Sequence, residues 1–438
     1  MTAPRPHFSS RFGVLMTFMG VAVGLGNVWR FPYMTAAFGG GAFLLVYLVI
    51  LLAFGIPAMM AEFALGRTTR RGPTGAFSAI GMPGGNVIGW VLFITIFMAV
   101  SYYTVIVGWV LRYFIVASAG QIGTIAPADF FDSVLAGFTG QFVTTAVILA
   151  FVALVLISGI RKGIERVSKI GMPLLFLLLL VLIVRSLTLP GAGEGLRFYL
   201  VPDFSKINVG VITAALGQVF FSLSLGGTFL LTYASYLPPD TNLKNAALFI
   251  GIGETLAAVL AGLVIVPAAV AFGIELNSGP PLTFITVPMI FARMGAGSLF
   301  AAMFFGLLFF AAFLSVVAAL EVLVTAAVDS WHWSRPRAAL IFCAGSLVAG
   351  TISMVSLDYI TTSDLFWGST MQPIGSAMAL IGLAWIVGRR KSLEAVNEGN
   401  DGSPIGKWWY YWIKYVIPSG ILVILALGLP DLFGAFFG

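Results

Sequence analysis

Two clusters of glycine and small hydroxyl residues, each in the middle of an apolar run of helix length, are the positions in this sequence best equipped to do chemistry. In GVLMTFMGVAVGLGNVWRFP, residues 13–32, the run is interrupted by Gly20, Gly24 and Gly26 and then carries Asn27 and Arg30. In GQVFFSLSLGGTFLLTYASY, residues 217–236, Ser222, Ser224, Gly226 and Gly227 fall near the centre. A helix in hydrocarbon satisfies its own backbone, so glycines clustered at that depth predict an unwound stretch that lines a cavity and offers free N–H and C=O groups to a ligand. Close helix packing through glycine is the alternative reading of the same residues. Catalysis has little to work with. His7 and His332 lie far apart in sequence and Cys343 is the single cysteine, which leaves no catalytic metal cluster, no Cys-based metal site and no intrachain disulfide. No buried Ser/His/Asp constellation stands out, so an integral-membrane enzyme is the reading with least support.

The elements that must hold these clusters are membrane helices. Hydrophobic residues make up 59% of the 438 and charged ones only 9%, and the mean hydropathy is +1.02. Apolar runs repeatedly exceed the roughly 20 residues that cross a bilayer, so the lipid bilayer is the chain's first partner. A net charge of +6 would suggest nucleic acid in a water-soluble chain, but the basic residues sit in short loops and report topology, not a polyanionic partner. Boundaries of charge, Pro and Gly predict eleven spans, at 12–37, 41–66, 88–117, 142–158, 168–188, 208–235, 243–274, 297–327, 336–354, 364–388 and 409–434. The first begins after Arg5 and Arg11 and is too long for a signal-peptide core, so it reads as a retained helix. With the N-terminus inside, the cytoplasmic segments collect nearly all Lys and Arg, and the outside keeps few, among them Arg185, Arg197 and Lys206. That bias predicts a cytoplasmic N-terminus and an external C-terminus. The connections 118–141, 189–207 and 275–296, the last with Gly279-Pro280-Pro281, would then be external loops.

The two interrupted spans, the first and the sixth, stand five apart. This spacing predicts an inverted repeat, about 12–188 against 208–388, with an extra helix at 409–434 and a substrate held between the breaks of a single transport domain. An odd number of spans per repeat gives the halves opposite orientation, as alternating access by a rocking bundle requires.

The motifs VGLGNVWRFPY at 23–33, GGGAF at 39–43, GIPAMMAEFALGR at 55–67, the pair Tyr102-Tyr103, QVFFSLSLG at 218–226 and TYASY at 232–236 resemble the neurotransmitter:sodium symporter family in its bacterial eleven-span form. The resemblance runs through nearly the whole chain. It implies an all-α, LeuT-like fold of five-plus-five inverted repeats with helices 1 and 6 broken. It also implies a sodium-coupled symporter in the cytoplasmic (inner) membrane, carrying one or two Na+ ions with an amino-acid substrate and using no organic cofactor; it leaves the oligomeric state open.

Physical chemistry supports the substrate class separately. The N–H groups around Gly24, Leu25 and Gly26 stand at the N-terminus of a half-helix, whose free donors and positive dipole end attract a carboxylate. Relatives that carry amines without a carboxylate have Asp at the position of Gly24, so glycine points to an α-amino acid. The resemblance further assigns Tyr103 to hold that carboxylate, although a packed aromatic is the commoner role for a tyrosine in such a span. It places Ala22, Ala99, Phe221, Ser222, Ser224, Gly227 and Ala319 around the substrate, with Ser315 near its amino group. The family often has larger residues at Ala99, Gly227 and Ala319. Small walls predict a bulky neutral side chain, aromatic or branched, unless the space admits a neighbouring helix instead.

For the first sodium site the resemblance implies the Ala22 carbonyl, Asn27, Ser222, the substrate carboxylate and, on the seventh span, Glu254, where many relatives have Asn. Oxygen ligands suit a hard cation, and a buried glutamate is costly unless paired with a cation or protonated. Chloride-dependent relatives place an anion near this point; Glu254 brings its own negative charge, so no chloride requirement is expected, and Glu254 is a candidate proton carrier when sodium leaves. The second site would use the carbonyls of Gly20, Val23 and Ala311 with two adjacent hydroxyls, yet FFAAFLSVV at 309–317 offers Leu314-Ser315. Either it binds sodium weakly or coupling falls to one ion; a chain with neither ion would be an uncoupled facilitator or a sensor. Arg30 with Asp364 would form the outer gate above Tyr103 and Phe221. Arg5 with Asp329 would close the inner pathway, helped by Ser235 and Tyr236, with Phe8 where relatives often have Trp. Gly163 and Pro173 would let the fifth span unwind, unless they mark an ordinary helix start, and Glu62 would tie the broken helices together.

Overall fold

Apolar runs in hydrocarbon have one way to satisfy every backbone N–H and C=O within a segment, which is to coil. The computed structural model describes residues 8–124, 126–276 and 281–437, and among these the regular structure is entirely helical. Eight helices are long and apolar enough to cross a bilayer: Gly41–Thr69 (span 2), Gly85–Ser118 (span 3), Phe138–Ile157 (span 4), Ile160–Leu187 (span 5), Leu243–Ala271 (span 7), Gly297–Trp331 (span 8), Leu357–Val387 (span 10) and Lys407–Pro430 (span 11). Span 1 is the pair Arg11–Ala22 and Gly26–Ala37, bent by 57°. Span 6 is likewise divided, into Val209–Ser222 and Phe229–Ala234, and span 9 is Arg335–Gly350. The all-α integral-membrane architecture with helices 1 and 6 broken is therefore present as expected.

Boundaries moved where a helix outlasts its apolar run. Span 5 starts at Ile160, before the basic residues that suggested a later start, and its first turn is π-helical over Ile160–Ile164. Span 10 starts at Leu357, so Asp364 lies inside it, at the head of a π-helical stretch Asp364–Met371. The connections expected to be external loops carry short helices, Pro127–Ala136, Ala192–Leu200 and Leu282–Ala292. Gly279 and Pro280 lie outside the described residues.

Lipid-facing positions are apolar and open, as at Phe151, Leu154, Leu177 and Val348, whereas spans 3 and 8 pack against each other in the interior and bury small residues such as Ala99, Ala311, Ala318 and Ala319. Small side chains let backbones approach where no hydrophobic effect drives helices together. Span 2 holds the second half of span 6. Glu62 accepts from the Gly226 N–H (2.8 Å) and from the Ser376 hydroxyl (2.9 Å). Buried Arg67 donates to the carbonyls of Thr241 (2.7 Å) and Ala395 (2.6 Å), and Arg70 to that of Leu237 (2.5 Å).

Candidate functional site

In span 1 the helix ends at Ala22, the backbone extends at Val23 (φ −85°, ψ 115°), and coiling resumes at Gly26. Side chains satisfy the N–H groups released there: Gly24 donates to Asn27 Oδ1 (2.9 Å) and Leu25 to the Tyr103 hydroxyl (3.3 Å). Gly24 has no room for a Cβ, which would stand 2.6 Å from Ser315 Oγ and 3.3 Å from the Tyr103 oxygen. In span 6 the chain runs through positive φ at Ser224 (54°), Gly226 (81°) and Thr228 (55°). Two of these are not glycine, and such conformations persist only where the surroundings impose them. The breaks meet each other: Gln218 Nε2 donates to the Gly26 carbonyl (3.3 Å) and Ser224 Oγ to that of Val21 (3.4 Å).

Between them lies a cavity of about 100 Å3. Ala22, Gly24, Leu25, Gly26, Ala99, Tyr103, Phe221, Ser222, Ser224, Ser315 and Ala319, all named above as candidates to surround a substrate, line it. Gly227 does not. A Cβ there would be 2.1 Å from the Phe229 ring, and that ring, not Gly227, forms the wall. The subsite is thus aromatic on one side and less roomy than a glycine wall would make it. Tyr102, Gln372 and Asp364 also border the cavity. Tyr102 was visible as half of the Tyr pair; Gln372 carries no local signal.

Beside the cavity, Glu254 is fully buried. Asn27 Nδ2 donates to its carboxylate, as do the hydroxyls of Tyr47 (3.2 Å) and Thr255 (3.1 Å). Among the described residues no Lys or Arg forms an ion pair with it. Ser222 stands next in line, its Oγ accepting from Gln218 (2.8 Å). The carboxyl group of Glu254, the hydroxyls of Tyr47, Thr255 and Ser222 and the Asn27 amide bring oxygen atoms together with no basic side chain, a donor set whose chemistry fits a hard monovalent cation when Glu254 is ionised. At the second expected site the carbonyl of Ala311 accepts from Ser315 Oγ (3.3 Å), Val23 is buried, and Gly20 backs onto the Leu314 side chain.

The outer gate is not a direct ion pair. The Arg30 guanidinium lies over the Phe221 ring, 4.4 Å from its centre, and Asp364 accepts from the Tyr102 hydroxyl (3.0 Å). A second cavity, about 570 Å3, opens beyond Tyr103 and Phe221 and is walled by Trp29, Trp109 and Phe284. At the opposite end, Arg5 falls outside the described residues, and Asp329 accepts from the Gly72 N–H (2.7 Å). Tyr236 donates to Glu321 Oε1 (2.9 Å), shares a hydrogen bond with Thr325 (2.6 Å) and meets the Phe8 ring edge-on. Arg335 grips the Glu321 carboxylate with both terminal nitrogens and donates through Nε to the Leu156 carbonyl (2.6 Å). Glu321 went unnoticed in the sequence and Arg335 counted only as a topology signal, although a glutamate inside one of the most apolar spans was a usable sign.

The family model described as the sodium:neurotransmitter symporter family matches residues 5–123 and 136–432. A Haemophilus influenzae protein described as an uncharacterized sodium-dependent transporter is 35% identical, over 96% of this chain and 97% of its own. A Bacillus subtilis protein, YhdH, likewise described as an uncharacterized sodium-dependent transporter, is 32% identical over 97% and 98%. Among solved structures, that of MhsT in complex with L-phenylalanine superposes with a TM-score of 0.86 at 36% identity, over 97% of this chain and 99% of that one.

Proposed function

The chain belongs to the sodium:neurotransmitter symporter family and is a sodium-dependent membrane transporter, not an enzyme; from that premise we propose that it imports a neutral, bulky hydrophobic or aromatic amino acid by alternating access, without chloride. The observation that carries this reading is Glu254: a fully buried carboxylate among neutral donors, beside the break, that lacks a basic partner among the described residues. Sodium bound there, held by Glu254, Asn27, Ser222 and the Ala22 carbonyl, would offset that charge and add a positive field beside the substrate carboxylate. The carboxylate itself would replace the long contact between Leu25 N–H and Tyr103, accepting from both and from the positive end of the Gly26–Ala37 half-helix. Ser315, on the facing wall, would meet the amino group. Phe229, Phe221 and Ala319 offer an apolar subsite, and the similar protein MhsT is seen with L-phenylalanine. The proposed orientation keeps the N-terminus in the cytoplasm, so the cavity of about 570 Å3 is the external vestibule.

Uptake of a panel of labelled amino acids into proteoliposomes, with an inward sodium gradient against potassium of equal ionic strength, tests the proposal. Sodium-driven accumulation of large neutral amino acids is expected. Exchange that ignores sodium would favour the second reading, an uncoupled facilitator or sensor, for which Leu314 is the structural argument.

A further inference from the structure

A leucine in place of a cation ligand is the feature of the transport core that the symport reading leaves unexplained. Leu314 is 3% exposed and sits on span 8 between two glycines. Its Cδ1 lies 3.0 Å from where Gly20, on span 1, would carry a Cβ and 3.5 Å from the corresponding point of Gly171, on span 5. Any larger residue at Gly20 would crowd that methyl, so the side chain fits its slot because span 1 has no Cβ to oppose it. What remains around the second expected sodium position is neutral: the carbonyls of Gly20, Val23 and Ala311 and the Ser315 hydroxyl. That hydroxyl already bonds the Ala311 carbonyl (3.3 Å) and lines the substrate cavity. No carboxylate is among these residues, in contrast to Glu254 at the first position, and methyl groups cannot replace the water that an entering ion must shed.

We infer that Leu314 takes the place of the second sodium ion as the tie between spans 1, 5 and 8, so that this transporter moves one sodium ion per substrate. The inference rests on the symport reading above. Where an ion makes this tie, the contact weakens as the ion leaves; here apolar packing makes it, and it persists at zero sodium. Release of the inner half of span 1 then depends on the first ion and the substrate alone. The buried Ser168 hydroxyl on span 5, 3.4 Å from the Gly20 Cβ position, is the group best placed to restore a ligand from another direction. It competes with the inference and belongs in the test.

The experiment is a paired flux measurement in proteoliposomes, radioactive sodium against labelled amino acid, together with the sodium dependence of substrate binding to the detergent-solubilised protein. Expected are a flux ratio near one and a Hill coefficient of about 1 for sodium. Leu314→Thr, which exchanges the methyl plug for a hydroxyl, should raise both toward two, and Ser168→Ala should leave both unchanged. A wild-type ratio near two overturns the inference, and its fall to one in Ser168→Ala would identify the ligand that replaced Leu314. Since the wild-type ratio decides by itself, misfolding of Leu314→Thr does not rescue the claim. Substrate movement with no sodium flux overturns the inference and the symport reading together, whereas two-ion symport overturns the inference alone.

Discussion

At Glu254 the charge can be removed with part of the geometry kept, because the glutamine oxygen can still accept from Tyr47 and Thr255, although its amide nitrogen then faces the Asn27 Nδ2 donor. A charged hydrogen-bonding partner is worth about 1.5–3 kcal/mol, so Glu254→Gln is expected to raise the sodium concentration for half-maximal uptake by roughly 10- to 100-fold. The folded protein should persist, and titrating sodium against uptake reads the shift. Replacing external chloride with gluconate should leave wild-type uptake unchanged; a fall would show that an anion other than Glu254 is needed. At Phe229 the expectation concerns selectivity. Truncation to alanine opens the aromatic wall, and since a pocket contact of this kind discriminates by about 1–3 kcal/mol, competition assays should show weaker binding of phenylalanine-sized substrates relative to larger indole ones. Most of this site was legible from residue types: glycines at bilayer depth, Asn27, the Tyr pair and the serines of span 6 all line or flank the cavity. Phe229 was not, because whether it or Gly227 faces inward is decided by the left-handed turn at Thr228 (φ 55°), which a sequence does not display.

Among the elements, span 5 carries the contact best placed to control opening from the end proposed to be cytoplasmic. Its π-helical first turn sits where Gly163 has no space for a Cβ, 2.0 Å from the Val155 carbonyl, and Pro173 removes a backbone donor one segment further on. Directly after that turn, Glu165 accepts from the Ser9 N–H (2.9 Å) and from its hydroxyl, and pairs with Lys169 (2.6 Å). Gly13 makes room, since a Cβ there would overlap the Glu165 carboxylate. The N-terminal segment is thereby pinned to span 5 directly after its π-helical first turn. Glu165→Ala removes the pin without touching either ion position, and hydrogen exchange of backbone amides in 160–170 is expected to quicken by about 10-fold or more, equivalent to roughly 1.4 kcal/mol of local stability. Unchanged exchange would reduce Glu165 to a surface-type ion pair. Gly163 and Pro173 stood out in the sequence, either as a hinge or as an ordinary helix start, but the pin did not: its partners lie 156 residues apart, and a glutamate in a basic stretch otherwise reads as a loop charge.

On the scale of the whole molecule, the span count, the two breaks and their five-span separation follow from hydropathy and glycine placement, whereas the conformation adopted does not. Alternate states of a transporter differ by a few kcal/mol, less than the resolution of any pattern in the sequence. In the structure the vestibule beyond Tyr103 and Phe221 is open and Arg30 rests on Phe221, not on Asp364. The other end is sealed by a buried network that joins span 4 through Leu156, span 6 through Tyr236, span 8 through Glu321 and Thr325, and span 9 through Arg335. Removing one partner of a buried ion pair costs about 3–5 kcal/mol, enough to invert an equilibrium of that size. Arg335→Ala is therefore expected to favour the state in which Tyr236 and Ser235 are reached from the cytoplasm. The buried Cys343 is the single native cysteine, so a Cys343→Ala background carrying Ser235→Cys gives one reporter thiol at a position that is buried here. A hydrophilic thiol reagent applied from the cytoplasmic side should label it at least about 10-fold faster when Arg335 is alanine, and sodium with substrate should slow the reaction less than in the parent. Equal labelling rates would mean that the network braces spans 4, 8 and 9 without setting which side is open, and closure of that end would then have to be attributed to the packing of Phe8 against Phe18 and Tyr236.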